Sequence, residues 1–192
     1  RVVGAGGEPL GCGFWSPASR IRVRFLTRGR EEPGDLDALV RARLESAVAM
    51  RAALGRGGAG DGARIVFGES DGLPGLVADR YGSVVVIQFV SAGMDRLRGT
   101  VVRLLGEMLT PTAVVERSDT GNREREGLRP ARGVLAGSLP PDGLAWFRAG
   151  GLDLAADVLG GQKTGFYLDQ RDNWEALRPL GAGRRVLDAC SY

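Results

Sequence analysis

The sequence predicts a mixed α/β protein: β structure first, then a small α+β unit, then the opening strand of a doubly wound sheet. Three observations support this order. Apolar and basic residues alternate over 20–25, apolar residues recur at helical spacing over 36–54, and a hydrophobic strand with an acidic end is placed over 185–189. Alternation indicates a half-buried strand, and a period near 3.6 indicates an amphipathic helix. The predicted class is therefore α/β with a segregated α+β part.

The composition is that of a folded protein without a membrane span. Hydrophobic residues make up 43% of the 192 residues, which suffices for a sizeable core. No apolar run approaches the roughly 18 residues of a membrane-spanning helix, and no secretory leader opens the chain. We therefore expect a soluble, cytoplasmic protein. The chain begins at Arg1 rather than Met, so we expect residues upstream.

The charges permit a nucleic-acid partner without establishing one. Lys and Arg number 26 against 23 Asp and Glu, which gives a net charge of +3. Every cation except Lys163 is arginine. A lysine retained in such a background indicates a site that needs a compact ammonium group, although chance also explains it. Cys12 and Cys190 have no metal-site spacing, which favours a reducing compartment.

The first 27 residues are predicted to be β structure. Three apolar residues alternate with three arginines: Ile21, Val23 and Phe25 with Arg20, Arg22 and Arg24. A solvated strand is one interpretation. An RNA-facing surface is the other, in which Arg22 and Arg24 contact RNA and Trp15 or Phe14 stacks on a base.

The next element is a helix that Asp35 can cap and that runs to about Leu54. Its apolar residues form one stripe: Leu36, Leu39, Val40, Leu44, Ala47, Val48 and Leu54. The Gly-rich stretch 55–62 ends it. We assign this helix and linker no chemistry.

A compact α+β unit follows. Its predicted elements are strands over 65–67, 76–81 and 84–90, a helix over 95–108 and a strand over 113–115. The dense charges of 117–132 predict a solvated loop or, alternatively, a loop that contacts RNA. A strand over 152–158, a polar Gly-rich loop, a helix over 169–177 and a strand over 185–189 complete the prediction.

Three segments together resemble a known family. They are 68–81 (GESDGLPGLVADRY), 161–173 (GQKTGFYLDQRDN) and 185–192 (RVLDACSY). They are similar to the class I S-adenosylmethionine-dependent rRNA methyltransferases of the large-subunit methyltransferase I type, which make 5-methylcytosine in 23S rRNA. The second segment is long and unusual, so its signal is strong. The third occurs in many nucleotide-binding folds and is weak alone.

The resemblance implies a domain layout. Residues 1–30 resemble the C-terminal part of a PUA-like RNA-binding domain, 35–62 form a connecting helix and linker, and 63–150 form the central α+β domain. Residues 151–192 resemble the beginning of a Rossmann-like methyltransferase domain. In this family the nucleophilic cysteine and an Asp-Pro-Pro segment belong to the part after residue 192. The resemblance therefore implies an incomplete, inactive fragment with no catalytic residue of its own.

The predicted final strand bears on the choice of cofactor. Ligands of a doubly wound sheet lie at the carboxyl ends of its strands, here at Asp188. A dinucleotide needs glycines there so that its pyrophosphate can approach the backbone, whereas this sequence has Cys190 and Tyr192. S-adenosylmethionine has no phosphate and tolerates bulky residues. The sequence thus favours S-adenosylmethionine over NAD.

The predicted cofactor site combines two segments. Its residues are Phe166, Tyr167, Gln170, Arg171, Asp188, Ser191 and Tyr192. Arg171 suits the cofactor carboxylate, Gln170 its polar groups, and the two aromatic residues its apolar parts. The alternative is that Asp169 caps a helix and Arg171 pairs with it. Lys163 could face either the cofactor or an RNA phosphate at the edge of this site, and we assign it to RNA.

Two other functions remain open. One is a non-catalytic RNA-binding or ribosome-assembly module. The other is a nicotinamide-dependent dehydrogenase, which a glycine-rich turn after Tyr192 would indicate. For partners we expect 23S rRNA and no membrane, and a homodimer is compatible with the sequence.

Overall fold

The protein is described here by a computed structural model that covers residues 1–187 and residue 189. These residues form ten strands, five α-helices and two short 3₁₀ helices, Gly68–Asp71 and Leu168–Gln170, which confirms the predicted α/β class. The strands are β1 Val2–Val3, β2 Pro9–Trp15, β3 Val23–Arg28, β4 Gly62–Phe67, β5 Leu76–Tyr81, β6 Val84–Phe89, β7 Ala113–Ser118, β8 Ala131–Gly137, β9 Leu144–Ala149 and β10 Leu152–Asp157. The helices are α1 Leu36–Ala53, α2 Ala92–Arg96, α3 Arg98–Leu109, α4 Gly121–Arg125 and α5 Arg171–Gly181.

Strands β1, β2 and β3 form an antiparallel sheet in that order. The predicted strand over 20–25 is partly wrong, because β3 begins only at Val23 and continues to Arg28. Its simple alternation also fails. Cys12 pairs with Thr27 and Gly13 with Phe25, so Leu26 is the extra residue of a bulge. A bulge changes which face the following side chains occupy, and Leu26 and Thr27 are consequently both buried.

Helix α1 confirms the predicted helix and its cap. The Asp35 carboxylate accepts a 2.9 Å hydrogen bond from the amide of Asp37, which satisfies a free donor of the first turn. Val40, Leu44 and Ala47 of the predicted stripe are buried. Leu54 lies just past the helix end and is exposed.

The central five-stranded sheet has the order β4-β5-β6-β7-β8. Only the β6–β7 pair is parallel, and α2 and α3 connect these two strands. Val85 and Ile87 of β6 pack in the cluster that includes α1 and α3. Val84 and Val86 pack on the opposite side. Burial on both faces explains why β6 reads as an unbroken apolar run rather than an alternating one.

The antiparallel β9–β10 hairpin covers this second face of the central sheet. Ala145, Phe147 and Ala149 of β9 pack in one cluster with Tyr81 and Val115. The sequence analysis missed β8 and β9, and α4 and the start of β8 lie inside the stretch predicted as a charged loop. Charged residues there are buried through pairing, which a pattern of hydrophobicity does not reveal. The predicted boundary at 150/151 falls in the turn of the hairpin.

The final predicted strand is not formed in the described residues. Arg185, Val186 and Leu187 follow α5 without strand pairing, and the side chains of Val186 and Leu187 are 71% and 92% exposed. A parallel strand needs a neighbour on which to form its ladder, and the described residues place none beside this stretch. Asp188, Cys190, Ser191 and Tyr192 lie outside the described residues.

None of the helices in the described ranges combines the length and apolar character needed to cross a bilayer.

Candidate functional site

The segment 161–171, here called the anchor segment, is fastened to the central sheet by Thr164. The Thr164 hydroxyl donates a 2.6 Å hydrogen bond to Oδ2 of Asp79. The Tyr81 hydroxyl lies 2.7 Å from Thr164 Oγ1 and, because the Thr164 proton is used by Asp79, it is the donor of this bond. The Tyr81 oxygen in turn accepts from the amide of Phe166 at 3.1 Å. Three consecutive bonds thus join the anchor segment to β5.

Arg64 completes this network from the edge strand β4. Its Nε and Nη2 donate to Oδ1 and Oδ2 of Asp79 at 2.8 and 2.9 Å. The hydrogen bond with Asp79 raises the pKa of Arg64, and this two-point pairing compensates the burial of the carboxylate. Burial, and then the charge of Asp79, raise the pKa of Tyr81. Tyr81 therefore stays protonated and remains a donor.

The loop that leads into the anchor segment is held by two arginines. Arg117 donates to the carbonyl of Val158 at 3.1 Å and to that of Gly161 at 2.8 Å. Arg132 donates to the carbonyl of Leu159 at 3.2 Å. Because Arg117 is buried, its two hydrogen bonds are shielded from water and hold the loop in place.

A row of aromatic rings positions Phe166 and α5. The centroids of Tyr81 and Phe147 are 5.2 Å apart, those of Phe147 and Phe166 5.4 Å, and those of Phe166 and Trp174 5.6 Å. All three contacts are edge-to-face, a favourable geometry for aromatic pairs. Phe166 is therefore part of the core as well as a candidate site residue.

A groove of about 770 Å³ lies between the end of α1, strand β4 and the anchor segment. Apolar residues on its α1 and β4 side include Met50, Leu54 and Phe67, and the Phe67 side chain is 53% exposed. Its basic lining residues are Arg51, Arg56, Arg64, Lys163 and Arg171. A concave, partly apolar groove with converging polar groups is the usual form of a small-molecule site.

All five of these cations have carboxylate partners. Lys163 Nζ lies 2.9 Å from Asp169 and 4.1 Å from the centroid of the Tyr167 ring. Lys163 lowers the pKa of Asp169. Arg171 pairs with Glu175 at 3.7 Å rather than with Asp169. Its Nη1 is buried and has no hydrogen-bond partner among residues 1–187 and 189.

The structure brings together some of the predicted site residues. Lys163, Phe166 and Arg171 line the groove, and Tyr167 contacts Lys163. Gln170 accepts a 2.8 Å hydrogen bond from Asn173 within the start of α5 and does not line the groove. The predicted site residues Asp188, Ser191 and Tyr192 lie outside the described residues. Sequence reasoning missed Asp79 and Tyr81, although an aspartate inside an apolar strand was a usable signal.

The two other predicted RNA-binding residues lie elsewhere. Arg22 precedes β3 and donates to the carbonyl of Pro17. Arg24 lines a second cleft, of about 800 Å³, between the β2–β3 connection and the central unit. It pairs there with Glu69 at 2.7 Å and with Glu126 at 3.3 Å. Arg24 therefore joins two parts of the molecule and is not a freely solvated cation.

No group of three or more metal-ligating side chains occurs in the part of the chain that the structure describes.

The fold is similar to that of parts of two solved structures, both described as methyltransferases and one of them as S-adenosylmethionine-dependent. A proposed enzyme of this class from Streptococcus mutans superposes with a TM-score of 0.73 at 15% identity, covering 91% of this chain and 44% of that one. A second proposed methyltransferase, solved with S-adenosylhomocysteine, gives a TM-score of 0.68 at 16% identity, covering 88% and 41%. At these identities the likeness concerns the fold alone.

Sequence comparison identifies the relatives more closely and confirms the resemblance. The chain is 45% identical over 191 residues to "Ribosomal RNA large subunit methyltransferase I" of Shewanella amazonensis, covering 100% of this chain and 48% of the relative. The protein of the same name from Klebsiella pneumoniae is 41% identical, covering 100% and 47%. That of Erwinia tasmaniensis is 40% identical, covering 97% and 46%. No family model matches. The chain spans about half the length of these curated relatives.

Proposed function

We propose that this chain is the segment of an S-adenosylmethionine-dependent rRNA methyltransferase that binds RNA and supplies one wall of the cofactor site. The substrate is 23S rRNA and the target atom is C5 of a cytosine. The observation that carries the proposal is the anchor segment, which the Asp79–Thr164–Tyr81 network holds against the sheet with Arg171 facing a groove. Identity of 40–45% along the whole chain to rRNA methyltransferases supports the reaction class.

The residues of the groove fit S-adenosylmethionine. This cofactor has a carboxylate, an ammonium group, a ribose and an adenine, and when bound it supplies an electrophilic methyl group. The buried Nη1 of Arg171, which has no hydrogen-bond partner among the described residues, suits the carboxylate, because guanidinium–carboxylate hydrogen bonds are strong and directional. Phe166 offers an apolar wall. Tyr167 and Gln170 do not line the groove but adjoin its lining residues Phe166 and Arg171 in sequence. Together with Asp188, Ser191 and Tyr192 they complete the proposed site.

We assign the residues of this chain to binding and orienting the cofactor and the RNA, and to no step in which a bond is made. Cytosine C5 is a weak nucleophile, so a cysteine thiolate must first add to C6. Cys12 is buried in the first sheet, where its Sγ lies 3.5 Å from Glu32, and it does not line the groove. Cys190 lies outside the described residues. As the resemblance implies, we propose that the nucleophile belongs to sequence other than these 192 residues.

The proposed domain layout is the one that the resemblance implies. Residues 1–30 would be the PUA-like part, 35–62 the connection, 63–150 the central domain and 151–192 the start of the methyltransferase domain. A ribosomal RNA substrate supports a cytoplasmic location, which is part of the proposal. A homodimer also remains a proposal, and light scattering of the purified protein tests it.

The test uses the protein as its gene encodes it. Calorimetry measures binding of S-adenosylmethionine, and transfer of a tritiated methyl group measures activity on 23S rRNA from a strain that lacks the gene. We expect both binding and incorporation at a cytosine. Absence of cofactor binding would contradict the proposal. Binding of RNA without S-adenosylmethionine would instead support a non-catalytic RNA-binding module.

A further inference from the structure

Two basic segments that are far apart in sequence meet at one cleft. The β2–β3 connection contributes Arg20, the start of β3 contributes Arg24, and the α4 region contributes Asn122 and Arg125. Both segments are candidate RNA contacts on sequence grounds, but nothing in the sequence places them side by side. The cleft between them has a volume of about 800 Å³.

Arg24 and Glu126 fix the two walls relative to each other. The Glu126 side chain is only 3% exposed. It forms an ion pair with Arg24 at 3.3 Å and accepts a 3.2 Å hydrogen bond from the backbone amide of Ala92. Glu69 pairs with the other terminal nitrogen of Arg24 at 2.7 Å. Glu69 and Glu126, the two carboxylates that line the described cleft, therefore both form ion pairs with Arg24. The Nε of Arg24 is buried without a partner in the described ranges.

Arg20 and Arg125 remain without a carboxylate partner in the described part of the chain. Both are exposed, and Arg125 contacts Asn122 at 3.4 Å. One unpaired guanidinium group thus stands on each wall of a concave surface. Unpaired positive charge in a cleft concentrates the local potential and attracts polyanions.

We propose that this cleft binds the phosphodiester backbone of structured RNA, with Arg20 and Arg125 contacting phosphates from its two walls. Arg24 is a positioning residue that holds the walls. The identity of the polyanion rests on the proposed function, whereas the site rests on the geometry. Among the described residues, its lining has no aromatic side chain for base stacking. Contacts of this kind set the position of RNA and do not read its sequence.

The double variant Arg20→Ala/Arg125→Ala tests the site. Both side chains are exposed, so the variant should fold, which thermal unfolding checks. The control variant Arg30→Ala/Arg184→Ala removes the same charge from exposed arginines outside the cleft. Fluorescence anisotropy of a labelled RNA hairpin, titrated with the gene-encoded protein at several salt concentrations, measures binding.

We expect the cleft variant to bind the RNA hairpin roughly tenfold or more weakly than wild type. The slope of the logarithm of the binding constant against the logarithm of salt concentration should be smaller by about 1 to 2, because each lost phosphate contact lowers it by nearly one. The control should change both quantities little. Equal weakening in the two variants would mean that only net charge matters and would overturn the proposal. The proposal would also be overturned if polyglutamate displaced the labelled RNA as well as unlabelled RNA does.

This result is separable from that of the proposed function. If the protein binds S-adenosylmethionine and methylates rRNA but the cleft variant binds RNA normally, the cleft assignment alone fails. If the cleft variant loses RNA binding while wild type binds no S-adenosylmethionine, the cleft assignment holds and the methyltransferase proposal fails.

Discussion

The Thr164 hydroxyl donates a 2.6 Å hydrogen bond to the buried Asp79 carboxylate, although 85 positions of sequence separate the two residues. This bond connects the anchor segment to the middle of the central domain. It makes the position of Phe166 and Arg171 depend on the packing of β5. Predictions about stability and about binding follow from this dependence.

Replacing Thr164 with valine should destabilise the protein by about 1–3 kcal/mol, because the variant leaves a buried carboxylate one hydrogen bond short. Urea unfolding measures the change. The control is Thr100→Val, whose hydroxyl bonds the exposed Asp37 at 2.9 Å and whose loss should cost less than about 0.5 kcal/mol. Equal losses in both variants would show that the buried network adds nothing.

Tyr81→Phe removes the second hydroxyl of the same network. Because Tyr81 and Thr164 share one hydrogen-bond chain, their effects should not add. We expect a coupling free energy of about 0.5–3 kcal/mol in a double-mutant cycle. Additive losses would indicate two independent contacts.

Gly82 should tolerate no side chain. Its φ is +59°, and an added Cβ would lie 2.1 Å from the carbonyl oxygen of Trp146, where the hairpin packs on the sheet. Gly82→Ala should therefore lower the midpoint of thermal unfolding. Gly106→Ala is the control, since it lies in α3 with open space around it. There alanine should stabilise by up to about 1 kcal/mol. Similar midpoints for both variants would refute the close approach.

Arg171→Ala should weaken binding of S-adenosylmethionine roughly tenfold or more, since a charged hydrogen bond is lost. Calorimetry measures the affinity. Glu175→Gln is the control, because it removes the ion pair of Arg171 but keeps the guanidinium group, and it should bind nearly as wild type. If the two variants weaken binding alike, Arg171 acts only through the structure of α5.

Glu126 should make stability depend on acid pH. Burial alone would raise the pKa of Glu126. Hydrogen bonds from the Ser19 hydroxyl and the Ala92 amide, and then the charge of Arg24, outweigh burial and lower it below 4.5. A lowered pKa in the folded state stabilises the protein above the unfolded-state pKa. That stabilisation is lost as pH falls through the folded-state pKa.

Glu126→Gln should thus cost about 1–3 kcal/mol at pH 7, and the difference from wild type should shrink below pH 4.5. Urea unfolding at pH 7 and at pH 3.5 measures both values. A difference that stays constant over this range would show that Glu126 carries no pH-linked stability.

Local patterns were enough to predict several elements. The α1 helix, its Asp35 cap and strands β5 and β6 follow from periodicity and turn residues close in sequence. The extended strand over 20–25 was less well predicted, because the bulge at Leu26 depends on pairing with β2. Strand β9 was missed because its exposed residue Trp146 is as apolar as the buried Phe147 beside it. The alternation of buried and exposed positions is therefore not visible in the sequence.

The candidate site also has residues that the sequence indicated and residues that only the structure revealed. The anchor segment stood out in the sequence because it is an unusual run of polar and aromatic residues. Its partners Asp79 and Tyr81 did not, since buried polar groups are recognised only by the groups that satisfy them. The predicted strand over 185–189 shows the reverse case, because its described residues form no strand and no other described residues lie beside them as a neighbouring strand.

The sequence by itself determined the α/β class, the main helix, the apolar strands and the resemblance to large-subunit rRNA methyltransferases. These depend on local propensity and on motifs read along the chain. Only the tertiary structure decided that Thr164 lies on Asp79, and that Arg20 and Arg125 face one cleft. Such contacts join residues far apart in the chain, and their energies come from burial and pairing that exist only once the sheets have packed.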